Sequence, residues 1–280
     1  MNEARIRQRV AAARRIVVKA GTNVIMRDDG AVALGRLYGL IESVASLKKQ
    51  GRQVLIVSSG AVGLGAQRLR LEAKPGSLTL KQACAAIGQS RLMSVYEEGF
   101  EKMGLLTAQV LLTEDDFTDR TRFQNLSATL EKLLELGAVP ILNENDTVST
   151  LELKSSDGRG ARGLFGDNDR LSALVMSKVK ADVLVILSDV DGLFTGNPAH
   201  DHNATLIPLV RKLTPEIVHS ADGAGARGRG GMSSKLAAAS IATGAGGIAV
   251  IANGRTPGIL DRLFAGEAVG TVFCPVAGRR

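Results

Sequence analysis

Six short runs rich in Val, Ile and Leu, set between longer helix-patterned stretches, place the strongest limit on how this chain can fold. The runs are Arg15 to Lys19, Gln53 to Ser58, Leu105 to Leu111, Ala138 to Leu142, Asp182 to Leu187 and Gly247 to Ala252. Most lack the polar alternation of a half-exposed strand, so they read as strands buried on both faces. Amphipathic stretches separate them, at Leu34 to Gln50, Leu80 to Met103, Thr121 to Leu136, Asp169 to Lys178 and Met232 to Thr243. Strand and helix in alternation predict an α/β fold, a three-layer αβα sandwich around a mainly parallel sheet. A chain of 280 residues, 45% of them hydrophobic, can bury a full core as a single domain. The Gly- and Arg-rich stretch Ser155 to Gly166 interrupts the pattern and reads as a mobile surface loop.

Sheets of this kind bind ligands in the loops that follow the carboxyl ends of their strands. Those loops read Lys19-Ala20-Gly21-Thr22-Asn23, Ser58-Ser59-Gly60-Ala61-Val62-Gly63, Asn143-Glu144-Asn145-Asp146 and Ser188-Asp189-Val190-Asp191-Gly192. Lys19 ends a strand two residues before Gly21, so an ammonium and a bare backbone reach the same spot; either a phosphate contact or a solvated strand end fits. Ser59 and Gly60 open a helix whose first N–H groups suit an anion, and a tight turn explains Gly60 as well. Lys235 follows Gly228-Arg229-Gly230-Gly231-Met232-Ser233-Ser234 into another helix, but Ser234 precedes the lysine, so the stretch is not a Walker A loop. No G-x-G-x-x-G follows the first strand either. Asp167-Asn168-Asp169 can cap a helix or line a site.

Other chemistries find less support. His200, His202 and His219 form no H-x-x-x-H pair and read as surface residues, which leaves metal or triad catalysis without a motif. Asp189-Val190-Asp191-Gly192 lacks the ligands of a calcium loop. Cys84 and Cys274 stand far apart without a metal-ligand spacing and read as buried free thiols. The formal charge of +7 permits an anionic partner, yet five arginines (Arg5, Arg7, Arg9, Arg14 and Arg15) crowd the first fifteen residues, where we expect a frayed, solvated helix. Arg227 to Gly231 resembles an RGG segment, but an aromatic content of 3% offers few platforms for stacked bases. No apolar stretch spans a bilayer and no secretory signal is present, so a cytoplasmic protein without nucleic-acid or membrane partners is expected.

Taken in order, V-V-K-x-G-T, V-S-S-G-A-V, I-L-N-E-N-D, G-D-N-D-x-L-S-A, L-S-D-V-D-G-L and G-G-M-S-S-K resemble the amino acid kinase family from about Ile16 to about Phe273. The stretch Lys81 to Ser90, with its Gly88-Gln89, is also similar to the family. The resemblance is strongest to members that phosphorylate the side-chain carboxylate of free glutamate, the first step of proline biosynthesis. It implies a carbamate kinase-like fold, with ATP as co-substrate and Mg²⁺. Lys19, Lys235 and Asp169 would be catalytic, the two lysines contacting the transferred phosphoryl group and Asp169 orienting them. Ser59, Gly60, Asn143, Asp146 and Asn168 would bind L-glutamate. Lys19, Ser188, Asp189 and the loop Arg229, Gly230, Gly231, Met232, Ser233, Ser234 and Lys235 would hold ATP, with no metal ligand directly assigned. Residues 1–178 would form a glutamate-binding lobe and 179–280 a nucleotide-binding lobe, without the PUA domain that many bacterial members carry. The resemblance also implies a homo-oligomer, dimer or tetramer, with proline as feedback inhibitor and glutamyl phosphate reductase as a partner. Acetylglutamate kinase, aspartokinase and uridylate kinase are the rivals within the family, and the pairing of N-E-N-D with G-D-N-D sets this chain apart from them. A silent metabolite sensor on the same fold is the remaining alternative, which the presence of Lys19, Asp169 and Lys235 opposes.

Overall fold

The computed structural model describes residues 2–148, 168–198, 200–214, 216–218 and 231–276. All six apolar runs are strands: β1 (Arg15–Ala20), β2 (Gln53–Ser58), β3 (Thr107–Leu112), β4 (Val139–Glu144), β5 (Val183–Ser188) and β7 (Ile248–Asn253). Two short strands, β6 (Leu209–Val210) and β8 (Thr271–Phe273), complete an eight-stranded sheet in the order β3-β4-β2-β1-β5-β7-β8-β6. Every pairing is parallel except β7 with β8. At two and three residues, β6 and β8 are too short to show a hydrophobic period, which is why the sequence pattern passes over them.

Alternation along each strand sorts the core into two layers. Ile16, Val18, Val54, Ile56, Val183 and Val185 face one layer, closed by α1 (Glu3–Ala11), α3 (Leu34–Lys49), α5 (Leu78–Lys102) and α10 (Ile259–Phe264). Val17, Leu55, Val57, Leu184 and Ile186 face the other, closed by α7 (Arg120–Glu135), α8 (Asn168–Lys178) and α9 (Met232–Gly244). Short helices fill the junctions: α2 (Thr22–Ile25), α4 (Ala61–Arg68) and α6 (Asp115–Thr118). The sandwich expected from the sequence is thus present, and so is burial of both thiols. Strand β3 departs from expectation. It lies at the sheet edge, so Thr107 to Leu111 stay partly or largely exposed, and only Leu112 is buried.

The N-terminal segment corrects a second expectation. Instead of fraying, α1 docks: Ile6 and Val10, one turn apart on one face, enter the core. Arg7 is itself buried. Its guanidinium donates to the carbonyls of Glu267 at 3.0 Å and Val269 at 2.8 Å, and it pairs with Glu3 at 2.7 Å. An arginine with five donors can close a turn of carbonyls, and here that outweighs its preference for water. The stretch Ser155 to Gly166 lies outside the described residues.

Helices α4 and α5 cross at backbone distance. A Cβ on Gly65 would overlap the carbonyl oxygen of Cys84, and one on Gly88 would overlap that of Ala61. This crossing draws Gly88 and the residue after it towards the strand ends. Gly65→Ala is therefore expected to cost about 1–3 kcal/mol of stability, since backbone rather than a yielding side chain must move. Gly39→Ala, in mid-helix with open space around it, should stabilise by roughly 0.5–1 kcal/mol. Urea unfolding of the two variants checks the contrast.

Candidate active site

Four strands bring their ends to one level. Register pairs Ala20 with Ser58 on one side and with Leu187 on the other, while Val57 pairs with Leu142. The N–H of Gly21 still reaches the Leu187 carbonyl at 3.2 Å, and that of Ser59 reaches Ala20 at 3.1 Å. The loops after β1, β2, β4 and β5 thus open together at the carboxyl edge.

Strand parity sets the direction of Lys19. It lies two residues beyond Val17 and so faces the layer that holds α8 and α9. There its Nζ stands 2.6 Å from Oδ1 of Asp169, in the first turn of α8. Lys235, in the first turns of α9, places its own Nζ 3.3 Å from the other oxygen, Oδ2. The Ser234 hydroxyl donates to the same Oδ2 at 2.8 Å. Lys19 and Lys235 are each 4% exposed and Asp169 is fully buried. Burial alone pushes the Asp169 carboxyl up. The charges of Lys19 and Lys235, with hydrogen bonds from Lys19 and Ser234, overcome that and hold it below the ordinary Asp value. Two like charges within about 6 Å repel by roughly 3 kcal/mol at an effective dielectric near 20, so the shared carboxylate is what lets two ammonium groups sit together.

Beside this triad lies a layer of neutral hydrogen-bonding groups. Asn168 directs its Nδ2 among the Ser58 carbonyl at 3.2 Å, the Ser59 hydroxyl at 3.0 Å and Oδ1 of Asn143 at 3.1 Å. Asn143 in turn donates from Nδ2 to Oε1 of Gln89 on α5, at 2.9 Å. Ser58 is braced from beneath by the buried Tyr96 hydroxyl, 3.0 Å away. Gly60 caps α4 at φ +99°, a left-handed conformation that favours glycine and turns the first N–H groups of α4 towards the strand ends. Asp146, mostly buried, lines a small cleft with Ala61, Gln89 and Asn145.

On the other flank, Ser188 and Asp189 end β5. The Asp189 carboxylate accepts from Asn23 Nδ2 at 2.8 Å and from the Ser188 hydroxyl at 3.1 Å. Burial pushes that carboxyl up, but Asn23, its own backbone N–H, Ser188 and the Arg255 charge hold it below the usual range. Gly231 caps α9 without a side chain to bond the first-turn N–H groups. Within that turn Ser234 and Lys235 turn inward, Ser233 is exposed, and Met232 packs on the second core layer. Arg229 and Gly230 lie outside the described residues, as does His219. His200 and His202 are exposed, in keeping with a surface role. The structure thus assembles Lys19, Asp169 and Lys235, and separately Ser59, Asn143 and Asn168. It adds two partners that the sequence reading noted without giving them a site role, Gln89 and Asn23. The signal for Gln89 lay in the Gly88-Gln89 resemblance, and that for Asn23 in its place in the loop after the first strand.

The model of a family described as the amino acid kinase family matches residues 14–252. The glutamate 5-kinase of Geobacter sp. (strain M21) is 49% identical over 263 residues, 94% of this chain and 68% of that protein. The glutamate 5-kinase of Moorella thermoacetica is 46% identical over 276 residues, 98% of this chain and 70% of that one. Solved structures agree on the fold: a carbamate kinase from Giardia lamblia bound to AMP-PNP superposes with a TM-score of 0.62 at 14% identity, covering 94% of this chain and 99% of that one. An isopentenyl phosphate kinase gives 0.60 at 19% identity, covering 92% and 99%.

Removing the Asp169 charge takes from two buried lysines the carboxylate they share, so Asp169→Asn is expected to lower stability by about 3–5 kcal/mol. The folded value of Asp169 is depressed, so its contribution is complete above the ordinary Asp value of 3.8 and is lost as pH falls through the lower folded value. The stability gap between wild type and variant, from urea unfolding, should hold steady from about pH 8 to about pH 5 and close only below about pH 4. A gap that grows on acidification contradicts an ionised Asp169.

Proposed function

This chain belongs to the amino acid kinase family, and we infer that it acts as a glutamate 5-kinase, moving the γ-phosphoryl group of ATP to the side-chain carboxylate of L-glutamate in the first step of proline biosynthesis. The observation that carries the mechanism is the buried Lys19–Asp169–Lys235 triad at the carboxyl edge of the sheet.

The reaction needs no general base. A glutamate side-chain carboxylate, with a reference pKa of about 4.3, is already ionised near neutral pH. Its oxygen forms a bond to the γ-phosphorus while the bond from that phosphorus to the bridging β-phosphate oxygen breaks. ADP leaves, the product is an acyl phosphate, and no proton moves. The obstacle is repulsion between an anion and a polyanion. Fixed cations on the transferred group answer it, each worth on the order of 4 kcal/mol at about 4 Å and an effective dielectric near 20, before desolvation. Lys19 and Lys235 fill that role. Asp169 keeps both in place and keeps one net positive charge on the triad.

Around that centre we assign glutamate to Ser59, Gly60, Asn143, Asp146 and Asn168, with the Asp146 carboxylate taking the α-ammonium. ATP we assign to Ser188, Asp189 and the loop Arg229 to Lys235, its phosphates meeting the N-terminal turn of α9. Mg²⁺ enters with ATP as part of the substrate. The nucleotide's own phosphates would carry it. On this reading residues 1–178 form the glutamate lobe and 179–280 the nucleotide lobe. Further proposals are a homo-oligomer, hand-over of the acyl phosphate to glutamyl phosphate reductase, and inhibition by proline, which resembles a cyclised glutamate. The two free thiols suit the reducing cytoplasm.

Trapping of the acyl phosphate as hydroxamate tests the reaction. Free L-glutamate with ATP and Mg²⁺ should give signal where N-acetylglutamate and aspartate do not, and Lys235→Ala should lower kcat by about a hundredfold or more. Signal with another acid reassigns the substrate within the family. Glutamate saturation curves that millimolar proline leaves unchanged dismiss the inhibitor.

A further inference from the structure

Three amides in this site have their orientations fixed by groups that can bond in one sense only. The backbone N–H of Glu144 donates to Oδ1 of Asn143 at 2.9 Å. Since that N–H cannot accept, the Asn143 side chain must turn Nδ2 away from it, towards Gln89. Gln89 must then present Oε1 to Asn143, as it does at 2.9 Å, which sends its Nε2 the other way. The Ser58 carbonyl fixes Asn168 by the same logic, since it can only accept, and so it holds Nδ2 and leaves Oδ1 outward.

The chain of amides therefore ends in two loose groups. Gln89 Nε2 and Asn168 Oδ1 are both shielded from water and have no hydrogen-bond partner among the described residues. A buried donor and a buried acceptor left open cost folding energy, and such groups in a native structure call for a ligand that completes them. Gln89 is carried to this place by the glycine crossing of α4 and α5 at the residue just before it. It shares its cleft with Asp146 and Asn145, and two amides, Asn143 and Asn168, separate it from Asp169 and the lysines.

We propose that Gln89 is a specificity-determining residue whose Nε2 donates to the α-carboxylate of the amino acid. This rests on the reading of the site as a glutamate kinase. The side-chain carboxylate must lie at the triad, so the α-carbon end of the substrate lies towards Asp146, which takes the ammonium. The remaining α-carboxylate needs a donor, and Gln89 holds an open one beside Asp146. Asn168 Oδ1 offers the matching acceptor to the substrate's N–H groups. A neutral donor suits this end because a lysine there would neutralise Asp146 and admit phosphate.

The test uses the full chain and the hydroxamate readout, with thermal unfolding of each variant. Gln89→Leu should raise KM for glutamate ten- to a hundredfold, while KM for ATP and kcat change less than about threefold. Gln89→Glu keeps the shape and reverses the bond. Its KM for glutamate should fall as pH is lowered from about 8 to about 6, where the wild type shows no such trend, and glutamate α-amide should gain on glutamate as substrate. Wild-type signal with an unchanged KM in well-folded Gln89→Leu, or a loss confined to kcat, overturns the proposal and leaves Gln89 as a brace for Asn143. A wild type without glutamate-dependent signal removes the glutamate reading, and this proposal with it.

Discussion

One buried carboxylate organises this molecule. Asp169 takes Lys19 from the first strand and Lys235 from the last long helix, one lysine on each oxygen. Neither cation could be as deeply buried as it is without that partner. The pair comes from positions more than two hundred residues apart, so the triad forms only once both halves of the chain have folded against α8. Its net charge is positive, which makes it a site for an anion that arrives later. Two buried cations on one carboxylate carry an electrostatic cost, which a bound anion such as the phosphates assigned to this site would lower.

What makes the triad possible is the level at which the strands stop. Parallel strands in matched register end together, so the residues one step beyond them form a shelf. Parity along β1 then sends Val18 to one core and Lys19 to the other, where α8 and α9 begin. A one-residue slip of β1 would put Lys19 on the face of α3 and α5, away from Asp169. The same logic governs the acid end. The glycine crossing of α4 and α5 lets Gln89 come close to Asn143, and a bulkier residue at either glycine would push it back.

The sequence was most readable where information is local. Each doubly buried strand left an unbroken apolar run, Lys19 stood two residues before a glycine at the end of one, and Lys235 followed a glycine-rich stretch into a helix. Their convergence on Asp169 could be inferred only from resemblance, because nothing local says that three loops meet. The docking of α1 was misjudged although Ile6, Val10 and Ala13 carried the helical spacing, because the arginines between them outweighed it in the reading. Yet Arg7 is buried by carbonyls of residues 267 and 269, far along the chain. Strands β6 and β8 were invisible for want of length. The polarity of the amides was unreadable in principle, since an asparagine's orientation is decided by whichever neighbour can only donate or only accept.

That polarity divides the work of the site. Positive charge is concentrated at Lys19 and Lys235, the end to which the transferred phosphoryl group is assigned. Among the described residues, the cleft at the other end is lined by the amides of Gln89 and Asn145 and by two carboxylates, Glu144 and Asp146. Among the described residues that line this cleft there are carboxylates and no lysine, so a phosphate there would face like charge, at a cost of several kcal/mol at contact distances with an effective dielectric near 20. On the proposed assignment, free glutamate would set its ammonium against these carboxylates and its α-carboxylate against the Gln89 amide. Selection among anions thus follows from where the fold withholds positive charge as much as from where it supplies it.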